Sequence, residues 1–331
     1  RVMRSPATPT LAVRTLAIQR HRSFGMPTTF LGPMPSLEVI RSGAVVETPP
    51  GRQWPLVEVL DRGQEPPSAS VLLDATRAAV AGAVRDGARV FVLVPRRGHA
   101  RAEQCIACQE LRRCTACGSA AFTDGACIRC SEPMGACSAC GGRLWRPLGA
   151  GIGVVVEDLR RLVGDRVGRA GEGRAVTVGT ERDLLTTSAV GLAVAVDVDG
   201  MALAPNYRAG EDALRTLIRL AQTVERGRGH RCVVQTSDPH QPVIAALRSG
   251  SSADFLAVEA GLRRRSHFPP FGELIALVAA DVEDADSVIR QALGDMAALH
   301  GPARIGERDR WLVTAADLGR ARLALRQAVG A

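Results

Sequence analysis

Eight of the nine cysteines fall between positions 105 and 140, as four C-x2-C pairs: Cys105 and Cys108, Cys114 and Cys117, Cys127 and Cys130, and Cys137 and Cys140. Five, nine and six residues separate successive pairs. At this spacing a tight turn lets two thiolates reach one tetrahedral ion at about 2.3 Å, so the pattern predicts two zinc sites of four cysteines each. Glycines at 118, 135, 141 and 142 ease the turns. A disulfide-rich secreted module is a poor alternative, because the rest of the chain reads as a cytosolic α/β protein. A redox dithiol explains one pair and not four, and iron–sulfur clusters usually use less regular pairing. Four thiolates leave no open position for water or substrate, so both ions are expected to be structural. The segment holds too few apolar side chains for a core of its own, and the metals should supply most of its folding free energy. The ninth cysteine, Cys232, lies in an apolar strand run and reads as a small buried residue.

The remainder is expected to fold as α/β. Of 331 residues, 46% are hydrophobic and 23% charged, the mix of a globular protein rather than a disordered one. No apolar run reaches the length of about 20 residues needed to cross a bilayer, so no membrane is expected as a partner. The chain opens on Arg1, with no basic-then-apolar leader after it, and reads as a piece of something longer. All 42 basic residues are arginine, which points to genomic composition rather than chemistry. The formal charge of +8 favours a polyanionic partner such as nucleic acid. Aromatic residues make up only 3%, so backbone charge contacts rather than a stacking platform should dominate any such binding.

The first sixty residues are rich in proline and are expected to be irregular. Residues 69–85 place Leu72, Ala75, Ala79 and Ala83 on one helical face, and residues 90–94 form the continuous apolar run of a buried parallel strand. The pattern then stops at Arg96, Arg97 and Gly98, gives way to the cysteines, and resumes near Gly151. A helix over 155–162, strands at 175–178 and 192–198, a helix over 211–225 and a strand at 232–235 imply a parallel sheet with helices on its faces, interrupted by the cysteine segment. Breaks near 249–252 and at Pro269 and Pro270 set off a small α+β unit: strand 274–282, helix 285–300, strand 311–314, helix 316–328.

Several motifs, in order, resemble the bacterial replication restart family PriA (primosomal protein N′). The likeness is to the family's C-terminal half, most of all to its divergent, arginine-rich actinobacterial members. Ser5 to Pro9 (SPATP) resembles the S-A-T-P closing the first helicase lobe. Val94, Pro95, Arg96, Arg97 and Gly98 resemble the strand end before the family's zinc insertion, and the four cysteine pairs match that insertion. Asp197, Val198, Asp199 and Gly200, then Tyr207, Arg208 and Glu211, resemble its D-x-D and F-R-x-x-E segments. Gln235 and Thr236, and the turn Phe268, Pro269, Pro270 and Phe271, complete the series. By resemblance the sites interleave, Cys105, Cys108, Cys137 and Cys140 holding one zinc and Cys114, Cys117, Cys127 and Cys130 the other. Spacing alone leaves interleaved and sequential sites open. The resemblance implies a remnant of a first helicase lobe and linker at 1–60, and a RecA-like second lobe at 61–101 and 147–250. It further implies a zinc-binding insertion at 102–146 and a C-terminal α+β domain at 251–331.

The resemblance also implies DNA replication chemistry, with departures. There is no phosphate loop and no lysine to place in one. Where active members carry Q-V-x-G-R-A-G-R, residues 222–229 read QTVERGRG, and the K-G expected after Gly179 and Thr180 is missing from 182–188. The expectation is a protein that recognises branched or single-stranded DNA, supports primosome assembly with other replication proteins and helps load the replicative helicase, without ATP-driven unwinding. Its expected location is cytoplasmic, at the nucleoid. An active 3′-5′ helicase and a zinc-ribbon adaptor are the alternatives. Candidate DNA contacts are Arg96, Arg97, Arg112, Arg113, Arg129 and Arg143, the last four presented by the zinc module. The run Arg263, Arg264 and Arg265 reads as a solvated helix end, and Asp197 and Asp199 as structural carboxylates at a strand terminus.

Overall fold

The computed structural model describes residues 13–47, 54–65, 70–95, 103–108, 110–116, 122–123, 126–127, 132–147, 151–204, 206–280, 284–305 and 308–328. Cys117, Cys130, Arg96, Arg97, Arg129 and the motif at positions 5–9 lie outside them.

The elements run α1 (Val13–Phe24), α2 (Leu37–Arg41), β1 (Leu56–Asp61), α3 (Asp74–Arg85) and β2 (Val90–Leu93). In the cysteine segment come the short strands β3 (Glu103–Cys105), β4 (Phe122–Thr123), β5 (Ala126–Cys127) and β6 (Trp145–Pro147). Then follow α4 (Ile152–Val163), β7 (Val167–Arg169), β8 (Val176–Gly179), α5 (Glu181–Leu184), β9 (Leu192–Ala195), α6 (Val198–Ala202), α7 (Ala209–Gln222) and β10 (Arg231–Thr236). Last are α8 (Pro242–Ser249), α9 (Ala253–Arg265), β11 (Glu273–Ala280), α10 (Ala285–Leu293), β12 (Ala298–Ile305), β13 (Arg308–Ala315) and α11 (Gly319–Ala328).

Six strands form one parallel sheet in the order β1-β10-β9-β2-β8-β7. Its central strands are apolar at every position because both faces are covered. Side chains alternate between faces, and the two cores follow that period. Val90, Val92, Val94, Val194 and Val233 turn toward α3 and α4, while Phe91, Leu93, Ala193, Cys232 and Val234 turn toward α7 and α8. Helix α7 presents Leu214, Leu217, Ile218 and Ala221 to that second core at helical spacing. Cys232 is wholly buried, as the sequence implied, and burial pushes its thiol up to about 12.

A separate antiparallel sheet, β11-β13-β12, packs Ile275, Leu277, Trp311 and Val313 against α10 and α11, a third core. Here the sequence expectation needs correction. The helix expected to reach residue 300 stops at Gly294, which takes φ +46°, and residues 298–305 pair with β13 instead. The region before residue 60 is also more ordered than its prolines suggest. Ser36 caps α2 by accepting from the Val39 N–H at 3.3 Å, and β1 closes one edge of the parallel sheet. Helix α9 fills the stretch after the expected break at 249–252.

A buried ion network joins these parts. Glu211 on α7 is fully buried and pairs with Arg208 at 3.1 Å and Arg263 at 2.9 Å, as well as with Arg215. Arg208 in turn reaches Glu38 of α2, which also pairs with Arg14 at 2.9 Å. Arg263 is therefore a core residue with its charge matched, and not a solvated helix end. Arg264 and Arg265 are exposed.

Candidate metal centre

Three of the cysteine turns share one local device. The N–H of Cys105 donates to the Glu110 carbonyl at 2.9 Å, that of Cys127 to Glu132 at 3.0 Å, and that of Cys137 to Gly142 at 2.8 Å. Each bond spans five residues, and in the first and last turns the two thiols of the C-x2-C pair lie on one side. Gly141 in the last of these turns takes φ +74°, which suits glycine. At Gly142 a Cβ would lie 3.1 Å from the Cys105 sulfur and 3.3 Å from that of Cys140, so any larger residue would press on two of the four thiols.

The base of the segment is set by β3 pairing antiparallel with β6, Cys105 opposite Trp145 and Glu103 opposite Pro147. This pairing brings the first and last cysteine turns together. The sulfurs of Cys105, Cys108, Cys137 and Cys140 all lie within 4.8 Å of one another, with Cys105 to Cys140 and Cys108 to Cys137 each at 3.6 Å. Four sulfurs about 2.3 Å from one tetrahedral ion stand about 3.8 Å apart, so this set fits zinc closely. The Cys108 N–H bonds the Cys105 sulfur and, against the effect of burial, brings its thiol down to about 7. The Gly142 N–H, 3.4 Å from the Cys140 sulfur, lowers that thiol too. The neighbouring thiols and burial nonetheless leave Cys140 and Cys108 above the ordinary range, so Cys105 gives up its proton before either of them. Cys105, Cys108, Cys137 and Cys140 can therefore hold a metal ion as a closed four-thiolate site, and their grouping is that of the interleaved arrangement.

For the remaining cysteines, Cys114 and Cys127 are both buried and share a small cluster with Met134. Their companions Cys117 and Cys130 lie outside the described residues.

Among the arginines assigned to the module, Arg113 and Arg143 are exposed. Arg112 is not presented at the surface as expected. It is buried, pairs with Glu103 and lays its guanidinium 4.3 Å from the centroid of the Trp145 ring. Its backbone N–H also donates to the Glu103 carbonyl at 2.7 Å. The triad Glu103, Arg112 and Trp145 braces the β3–β6 stem. Nothing in the spacing of the cysteines marks it.

The family-like motifs outside the module also find places. Asp197 caps α6 by accepting from the Gly200 N–H at 2.8 Å, and burial raises its carboxyl above the ordinary range. Asp199 accepts from the Ser237 N–H at 2.7 Å and from Gln241 at 2.8 Å. Both carboxylates serve the fold. The altered stretch 222–229 meets Val190, two residues beyond the altered stretch 182–188, just before β9 begins. There the Val190 N–H donates to Thr223 at 3.0 Å and the Glu225 N–H donates to Val190 at 2.9 Å. Arg226 and Arg228 are exposed there. A cavity of about 200 Å³ beside them is lined by Trp54, Glu225, Arg226 and His230.

No protein-family model matches the chain. Curated relatives do. The chain is 24% identical to the replication restart protein PriA of Synechocystis over 92% of its own length, and 24% identical to that of Thermotoga maritima over 58%. It is 29% identical to the probable replication restart protein PriA of Mycobacterium leprae over 70%. It spans less than half the length of each, between 30% and 44%. The first of these similarities takes in the parallel sheet and the cysteine segment alike, and over both the chain is similar to PriA proteins.

Proposed function

We propose that this chain is the DNA-binding, partner-recruiting part of a replication restart protein. It engages branched or single-stranded DNA, supports primosome assembly and helps load the replicative helicase, and it does so without ATP-driven unwinding. The observation that carries this reading is a four-thiol cluster within a chain that resembles PriA over 92% of its length.

In this reading Cys105, Cys108, Cys137 and Cys140 hold one zinc ion, and Cys114, Cys117, Cys127 and Cys130 a second. Bound there, zinc supplies fixed cross-links rather than an open Lewis-acid position. The protein's own residues hold the platform in shape: the turn carbonyls at Glu110, Glu132 and Gly142, and the Glu103–Arg112–Trp145 brace. Arg113 and Arg143, both exposed, meet DNA phosphates, with Arg96, Arg97 and Arg129 as further contacts by their position in the sequence. The parallel sheet is the second, RecA-like helicase lobe and β11–β13 with α10 and α11 a C-terminal domain.

The absence of unwinding rests on two altered stretches in one lobe. Residues 222–229 do not keep the spacing of the two arginines that reach the γ-phosphate, and residues 182–188 lack the expected K-G. Loss of an arginine finger costs about 10³–10⁵ in rate in related phosphoryl transfer. The test is a steady-state ATPase assay of the full-length protein with and without a forked DNA, beside a binding titration at two salt concentrations. Fork binding that weakens steeply with salt, without DNA-stimulated turnover, is the expected result. Robust turnover abolished by Arg226→Ala or Arg228→Ala would overturn it in favour of an active helicase.

A further inference from the structure

Where α2, the end of α9 and the turn into β11 meet, two guanidinium groups converge on one ring. Arg41 lies 5.0 Å and Arg264 4.5 Å from the centroid of Phe271. Both arginines are exposed and both stand in the last turn of their helices. A cation–π contact is a weak attraction and does not neutralise either charge.

The carboxylates of these same elements are already committed. Glu38, the single acid of α2, pairs with Arg14 and Arg208. Glu259 of α9 pairs with Arg263, and Glu273 of β11 with Arg322. Asp254 begins α9, roughly 15 Å along the helix from Arg264 at 1.5 Å per residue. Among the described residues, Arg41 and Arg264 make no ion pair. Arg265, also exposed, follows in the same turn and adds to the positive potential.

Aromatic residues are scarce in this chain, yet they gather here. Tyr207 and Phe268 stack at 5.4 Å with 7° between their planes, and His300 continues the row at 6.4 Å from Phe268. Uncompensated arginines interleaved with rings are the arrangement that holds single strands, with guanidinium groups on phosphates and rings beside the bases.

We infer that Arg41, Phe271 and Arg264 form a phosphodiester-binding site for single-stranded nucleic acid, with the exposed His300, at the end of the Tyr207–Phe268–His300 row, on its base side. This rests on the DNA-binding reading above and adds to it a site remote from the cysteine segment. An acidic protein surface would answer the charge but give the rings nothing to face.

The experiment compares the zinc-replete wild type with the Arg41→Gln/Arg264→Gln double variant. A labelled oligothymidylate, a duplex of equal length and polyglutamate are titrated across a salt series. The inference expects oligothymidylate affinity to fall by about tenfold or more in the double variant. The slope of log K against log salt should become shallower by about 1.4, at about 0.7 for each lost phosphate contact on a single strand. Arg41→Lys/Arg264→Lys, which keeps the charge, should restore that slope. Unchanged affinity and slope in a double variant whose wild type does bind would overturn this site and leave the DNA-binding reading standing. A wild type that binds none of the DNA probes would sink both. An affinity loss with unchanged slope that the lysine variant does not rescue would mark a structural role. An equal loss on duplex would overturn the assignment to single strands, and a larger loss on polyglutamate would assign the surface to an acidic protein.

Discussion

Arg263 and Glu211 form an ion pair of 2.9 Å in the protein interior, with side chains 2% and 0% exposed. Removing two charges from water costs several kcal/mol each, so the pair stands only because each group has further partners. Glu259 shares Arg263, and Arg208 and Arg215 share Glu211. The network fixes α7 against α9, and through Arg208 and Glu38 it fixes α2 to both. Tyr207, also near Arg263 at 5.3 Å, carries the linkage on to Phe268 and the antiparallel sheet.

Removing one partner of this pair should be costly. Glu211→Gln leaves three arginines facing a neutral amide, and the expected loss is about 3–5 kcal/mol in urea unfolding. The double variant Glu211→Leu/Arg263→Met should lose less than the sum of its single changes, since it removes both desolvation penalties. A Glu211→Gln effect under about 1 kcal/mol would show that the network is solvated in practice.

Elemental analysis of the purified protein should give about two equivalents of zinc. Cys108→Ser, which touches the four-thiol cluster alone, should reduce this to about one. A wild-type value near one, or iron in place of zinc, would count against two four-cysteine sites.

Cys114→Ser should loosen the cysteine segment while leaving the parallel sheet folded, because metal rather than an apolar core stabilises the segment. Limited proteolysis should then cut between about residues 102 and 145, with the far-ultraviolet circular dichroism of the remainder retained. Loss of the whole fold would instead tie the segment to the sheet's stability.

Glu38 gives a prediction in pH. Burial alone would raise its carboxyl, but the Arg208 guanidinium, helped by the Glu38 backbone N–H and Arg14, holds it below the ordinary range. A depressed carboxylate pKa contributes stability that is complete above the unfolded value, about 4.3 for Glu, and is lost as pH falls through the folded value. The stability gap between wild type and Glu38→Gln should thus be full near neutral pH and shrink on acidification below about pH 5. A gap independent of pH would show that Glu38 acts by packing rather than by charge.

The central strands could be read from the sequence because burial on both faces leaves an apolar run that nothing else explains. Val90 to Leu93 and Leu192 to Ala195 are such runs. Residues 298–305 were not legible, since Ala298, Leu299 and His300 suit a helix and pair with β13 only through tertiary contact. Arg263 misled for a related reason: its partner, Glu211, lies in a different helix far back in the chain. The cysteine spacing named the ligands of the four-thiol cluster but could not group them. What groups them is the pairing of Glu103 with Pro147 and Cys105 with Trp145, a contact between strands far apart in the chain. The scarcity of aromatics argued against stacking, but composition carries no information on where the few rings assemble.

That same β3–β6 stem makes the cysteine segment a cassette. Its entry and exit strands lie side by side, so the distance the flanking chain must bridge is independent of what the loop contains. Turns can be lengthened, traded or grafted between them without asking β2 or α4 to move. The parallel sheet can thus keep its architecture while the cysteine segment diverges at its own pace.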